Sequence, residues 1–99
     1  MREIINKCEE TVKVAKRLQA KLDALKWRKK QLEASKEYVK INGLVYQQDY
    51  RYSSLSIEKI TLSDKEQHDY NEFIDKCIAG VEEDIQFAQV EIHNFEMQN

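Results

Sequence analysis

The chain has 99 residues, of which 34% are charged, with no proline and glycine only at positions 43 and 80, which sets aside loop-rich, collagen-like and disulfide-scaffold classes. Its apolar runs are a few residues long, well below the ~20 that span a bilayer. The formal net charge of −2 hides two opposite halves: twelve Lys and Arg against six acids up to Lys40, then four against twelve.

Apolar residues at Ile4, Cys8, Val12, Ala15, Leu18, Leu22, Leu25 and Leu32 recur in steps of three and four. This spacing predicts one amphipathic helix over about residues 3–37. The following stretch, Tyr38-Val-Lys-Ile-Asn-Gly-Leu-Val-Tyr46, places β-branched and aromatic residues on both sides of Asn42-Gly43. That pair is preferred by type I′ turns, so strands are expected on either side of it. Leu44, Tyr46, Gln48, Tyr50 and Tyr52 then alternate onto one face, and Leu55 with Ile57 begins another short strand. The β segment, a hairpin or small meander, is expected over about residues 38–61.

A second helix is expected over about residues 63–97, carried by Tyr70, Ile74, Cys77, Val81, Ile85, Ala88, Ile92 and Phe95. Ser63 followed by Glu66 fits a capping box, and Asp64 adds negative charge where the helix dipole favours it. The fold class is therefore mainly α: a single domain, 1–99, with two long antiparallel helices in a coiled-coil-like hairpin, joined by a short β-hairpin segment. The order helix, small β-hairpin, helix resembles the β-type prefoldin subunits; the resemblance is one of architecture, and no residue role or activity is carried over from it.

Each helix has a second stripe away from the first. On the first helix it runs Ala20, Ala24, Trp27, Gln31 and Ala34; on the second, Gly80, Glu83, Phe87, Val90, Asn94 and Met97. At about 100° per residue Trp27 lies nearly opposite Leu22 and Leu25, so it does not join the main core. Paired seams on opposite sides are what assembly into a helical bundle requires. Trp27, Ala20, Ala24, Gln31, Phe87 and Val90 are accordingly the expected interface, with the chain itself as first partner, in a homo-oligomer that is most simply a dimer, and another protein as second. Tyr46, Tyr50 and Tyr52 form a second candidate contact surface, since tyrosine adds contact area at low entropic cost.

Lys26, Arg28, Lys29 and Lys30 surround Trp27, with Arg17 and Lys21 upstream. Bases next to an aromatic ring suit phosphate neutralisation and base stacking, so binding of nucleic acid or a nucleotide is an alternative expectation. A purely structural oligomerisation module is a third. The chain holds no GxSxG, HExxH, Walker A, GxGxxG or EF-hand pattern, and no enzyme activity or cofactor is expected. Cys8 and Cys77 are too far apart in sequence for a CxxC motif. With the first helix ending near residue 37, Cys8 is expected to come level with His93 and Cys77 with Ala24, which supplies no convincing metal set and no intrachain disulfide. No Asn-x-Ser/Thr sequon and no signal-peptide core are present, so the expected location is cytoplasmic, without membrane contact. A composition rich in Lys, Ile, Asn, Gln and Tyr resembles proteins of AT-rich bacterial or phage genomes. Small phage accessory proteins often act as stoichiometric inhibitors, so occupation of a host macromolecule is the expected role.

Overall fold

A computed structural model describes the backbone of residues 2–51 and 54–98 and the side chains of residues 8–46 and 58–98. The element order is helix α1 (Arg2–Asn42), strand β1 (Leu44–Arg51), strand β2 (Ser54–Thr61) and helix α2 (Asp64–Gln98). The two strands pair antiparallel, from Leu44 opposite Thr61 to Arg51 opposite Ser54. The expected mainly helical fold, with two helices joined by a short β-hairpin, is the one observed.

The position of the hairpin turn is a correction. Tyr38–Ile41 is helical, and Asn42-Gly43 ends α1 instead of turning between two strands. Gly43 has φ of 65°, its N–H donates to the Val39 carbonyl at 2.7 Å, and the Asn42 side-chain amide donates to the Tyr38 carbonyl at 3.0 Å. The property that makes Asn-Gly a hairpin signal, tolerance of positive φ, serves equally well just past a helix C-terminus. The inward repeat decides between the two uses: Val39, seven residues after Leu32, is only 1% exposed. The segment therefore has two strands, the second beginning at Ser54, and Tyr52 lies outside the described residues.

The start of α2 follows expectation. Ser63 Oγ accepts from the Glu66 N–H at 3.2 Å, and Glu66 Oε1 accepts from the Ser63 N–H at 3.1 Å, a reciprocal capping box. The Ser63 N–H, and after it the Ser63 hydroxyl, hydrogen-bond to the Glu66 carboxylate and hold it below its ordinary pKa, against a weaker opposing effect of desolvation.

The chain divides into two compact units: Gln31–Ile78, and Met1–Lys30 together with Ala79–Asn99. In the first unit Val39 and Ile74 are buried, and Lys36 Nζ meets Asp75 Oδ1 at 2.6 Å. The Leu62 N–H donates to the Gly43 carbonyl at 2.8 Å, and the Gln67 side-chain amide donates to the Leu62 carbonyl at 3.1 Å, so the end of α1 and the start of α2 share one hydrogen-bonded junction. The Asn71 side-chain oxygen is buried there without a hydrogen-bond partner among the described residues.

In the second unit Leu22, Val81 and Ala88 are buried, and Lys21 meets Glu91 at 3.1 Å while Lys29 meets Glu82 at 3.2 Å. Because the α1 partner number rises as the α2 number falls, the helices run antiparallel. The inward residues of this unit are Thr11, Val14, Leu18, Leu22, Leu25 and Lys29 on α1 and Val81, Ile85, Ala88, Ile92 and Phe95 on α2; those of the other unit are Leu32, Lys36 and Val39 on α1 and Gln67, Asn71, Ile74 and Ile78 on α2. From Thr11 onward in α1, and from Gln67 in α2, the steps are of three and four residues, averaging the 3.5-residue period of coiled-coil packing. Cys8, Val12 and Ala15, expected on the inward stripe, are exposed, and Thr11 and Val14 are half-buried in their place.

Candidate functional site: the outward helix faces

Directly opposite the inward stripe, each helix exposes a second one with the same period. In the unit containing the helix ends, Ala20, Ala24 and Trp27 are exposed on α1, and Gly80, Glu83, Phe87, Val90, Asn94 and Met97 on α2. Trp27 is 65% exposed, Phe87 61% and Val90 55%. In the unit containing the hairpin, Gln31, Ala34, Tyr38 and Ile41 continue the spacing on α1, while Phe73 and Lys76 precede it on α2, all but Lys76 being apolar or uncharged. Of the nine large apolar or aromatic side chains exposed among the described residues, seven fall on these stripes: Trp27, Tyr38, Ile41, Phe73, Phe87, Val90 and Met97. Scattered exposed apolar residues are ordinary, but a seven-residue register on both helices is the pattern of a packing face.

The structure thus leaves all six expected interface residues, Trp27, Ala20, Ala24, Gln31, Phe87 and Val90, exposed. Sequence reasoning missed Tyr38, Ile41 and Phe73 as members of the stripe. The signal was present in their three- and four-residue steps from Ala34 and Gly80, but Tyr38 and Ile41 had been assigned to a strand.

A groove beside the hairpin shares Gln31, Ala34 and Tyr38 with the α1 stripe. Gln31, Ala34, Ser35, Tyr38, Val39, Val45, Tyr46 and Tyr70 line this open groove of about 420 Å³. The Tyr38 and Tyr46 rings stand 6.1 Å apart at 44°, and Tyr46 is 60% exposed. The hydrogen bond with Tyr46 raises the Tyr38 phenol above its ordinary pKa, with smaller contributions from desolvation and from the charge of ionised Tyr46. Tyr46 of the expected tyrosine site therefore lines a groove, joined by Tyr38 and Tyr70. The side chain of Tyr50 lies outside the described residues.

The basic residues do not gather into one patch. Lys26, Arg28 and Lys30 are exposed at steps of two residues, about 200° apart around the helix, so Arg28 points away from the other two. Lys29 is half-buried on the inward stripe and reaches Glu82, and Lys21 reaches Glu91, so two of the six expected anion ligands already face carboxylates. Arg17 is exposed one turn before Lys21.

The ion pairs also set which residues come level. Lys21 with Glu91 and Lys29 with Glu82 place Leu18, not Cys8, level with His93, and Lys36 with Asp75 places Ala34, not Ala24, level with Cys77. α1 runs five residues further than the 37 expected, to Asn42, which accounts for half of this ten-residue shift. Both cysteines are free, Cys8 exposed and Cys77 half-buried. Among the described residues no group of three or more His, Cys, Asp or Glu is placed to hold a metal ion, and no helix is long and apolar enough to cross a membrane. No protein-family model, no curated protein and no solved structure matches this chain.

Proposed function

We propose that this chain is a cytoplasmic, non-enzymatic protein–protein interaction module that works by occupancy, covering or bridging a macromolecular surface as a stoichiometric accessory or inhibitor protein. The observation that carries the reading is the outward stripe: Trp27, Phe87 and Val90 are each more than half exposed at coiled-coil spacing. Water gains access to large side chains whose burial stabilises by about 1.5–3 kcal/mol each, so a partner that covers them draws on that free energy. Affinity in such contacts concentrates in a few aromatic and Arg anchors, which nominates Trp27 with Arg28 on the helices and Tyr46 in the groove. Commitment of Lys21 and Lys29 to Glu91 and Glu82 weighs against phosphate binding as the main activity.

The test is capture by the immobilised native chain compared with Trp27→Ala, Phe87→Ala and Tyr46→Ala, each checked for native helicity. The reading expects bound protein, including further copies of the chain, to be lost in at least one variant. Retention of every bound species by all three variants would overturn it.

A further inference from the structure

We propose that the α1 outward face docks on the α2 outward face of a second copy, head to tail and antiparallel, with Trp27 seated over Gly80. The inference rests on the interaction-module reading and names its partner. It draws on three observations within one unit of the chain.

The first is size. Gly80 lies exposed in the middle of the α2 stripe, and a Cβ built on it meets nothing within 4 Å, so the helix surface has a notch there. Trp27, the largest side chain in the chain, projects from the middle of the α1 stripe with 65% of its surface exposed. The second is register. Ala20 precedes Trp27 by seven residues, and Phe87 follows Gly80 by seven. An antiparallel copy that sets Trp27 over Gly80 therefore sets Ala20 over Phe87, large against small at both levels, as interdigitating helices require.

The third is charge. From Lys13 to Lys30, α1 carries eight Lys and Arg against the single acid Asp23, whereas Ala79–Gln98 of α2 carries five acids and no Lys or Arg. Between the two size-matched levels, Glu83 of the copy comes level with Ala24, one turn from the exposed Arg28, while Lys21 on the other side keeps its ion pair with Glu91 of its own chain. Pairing α1 with α1, or α2 with α2, would instead bring like charges together, which disfavours the symmetric alternatives. Each copy in the head-to-tail arrangement keeps one face open for the next, so the assembly closes into a ring or extends into a filament, and does not stop as a two-fold dimer.

The experiment is molar mass by light scattering coupled to size exclusion, at micromolar concentration, on the native chain, Trp27→Ala, Gly80→Leu, and an equal mixture of the two variants. Leucine is a good helix former and has open space at position 80, so helicity measured by circular dichroism is expected to be unchanged. The native chain is expected at three or more times the 11.8 kDa of one chain, and each variant alone at that mass. The mixture is expected at twice it, because Trp27 of the Gly80→Leu chain can seat over Gly80 of the Trp27→Ala chain once and the contact cannot propagate. A native monomer, a variant that assembles like the native chain, or a mixture that stays monomeric overturns the proposal. Any of these, together with capture of a different protein through Trp27, removes only the self-contact and leaves the interaction-module reading standing.

Discussion

The inward and outward stripes of the helices carry the same seven-residue repeat but meet different fates. Leu22, Val81 and Ala88 are buried within the chain, while Ala20, Ala24, Trp27, Phe87 and Val90 on the opposite faces remain in contact with water. The inward stripe is flanked by salt bridges between a basic helix and an acidic one, Lys21 to Glu91 and Lys29 to Glu82 among them, and the outward stripes carry the same opposition of sign. Periodicity therefore reports how many packing faces a helix has, and the structure separates those satisfied internally from those that need a partner.

The two stripes are distinguished most sharply by truncation. Leu22→Ala is expected to destabilise the fold by about 2–5 kcal/mol, as large-to-small core changes do. Trp27→Ala, measured by urea denaturation at concentrations where the chain is monomeric, is expected to change stability by under about 0.5 kcal/mol. Similar losses from both would place Trp27 in the folded core and erase the distinction.

The two glycines sharpen it further, with opposite signs. Gly43 sits at φ of 65°, where a Cβ would also lie 3.0 Å from the Gln67 side chain, so Gly43→Ala is expected to destabilise by about 1–2 kcal/mol. Gly80 is helical with open space around it, and Gly80→Ala is expected to stabilise the monomer by about 0.8–1 kcal/mol through helix propensity. Chemical denaturation midpoints of the two variants check both signs.

The smallest expected effect is a pH dependence at the start of α2. Glu66 has a folded pKa lowered by its bonds to Ser63. Its contribution to stability is therefore fully present above the ordinary glutamate pKa and is lost as pH falls through the lowered one. Thermal melting of Glu66→Ala is expected to show a shallower fall over that acid window than the native chain, and an unchanged slope would remove the capping box from the account.

Much of this architecture was legible in the residues because both helices carry strong periodic stripes and α2 carries its own start signal in Ser63 and Glu66. The end of α1 was not, since Asn42-Gly43 satisfies two structures with one conformational preference, and only the burial of Val39 chooses between them. Tyr38 and Ile41 were lost to the outward stripe for that reason, although β-branched and aromatic residues are tolerated in a helix whose tertiary contacts favour it. The outward stripe itself could be read from Trp27 and Phe87, because their angle from the leucines needs only the helical period. The tyrosine groove could not, because Tyr38, Tyr46 and Tyr70 come from three elements whose approach depends on where α1 ends.

The account turns on whether the outward faces are contact surfaces, and Trp27 is the only tryptophan in the chain, so its fluorescence reports on that face directly. The measurement is the emission maximum of the native chain from nanomolar to high micromolar concentration, with Gly80→Leu as control. A shift to shorter wavelength with rising concentration in the native chain and none in the control is the predicted result. Water-exposed emission at every concentration in both chains would contradict the claim that a second copy covers Trp27.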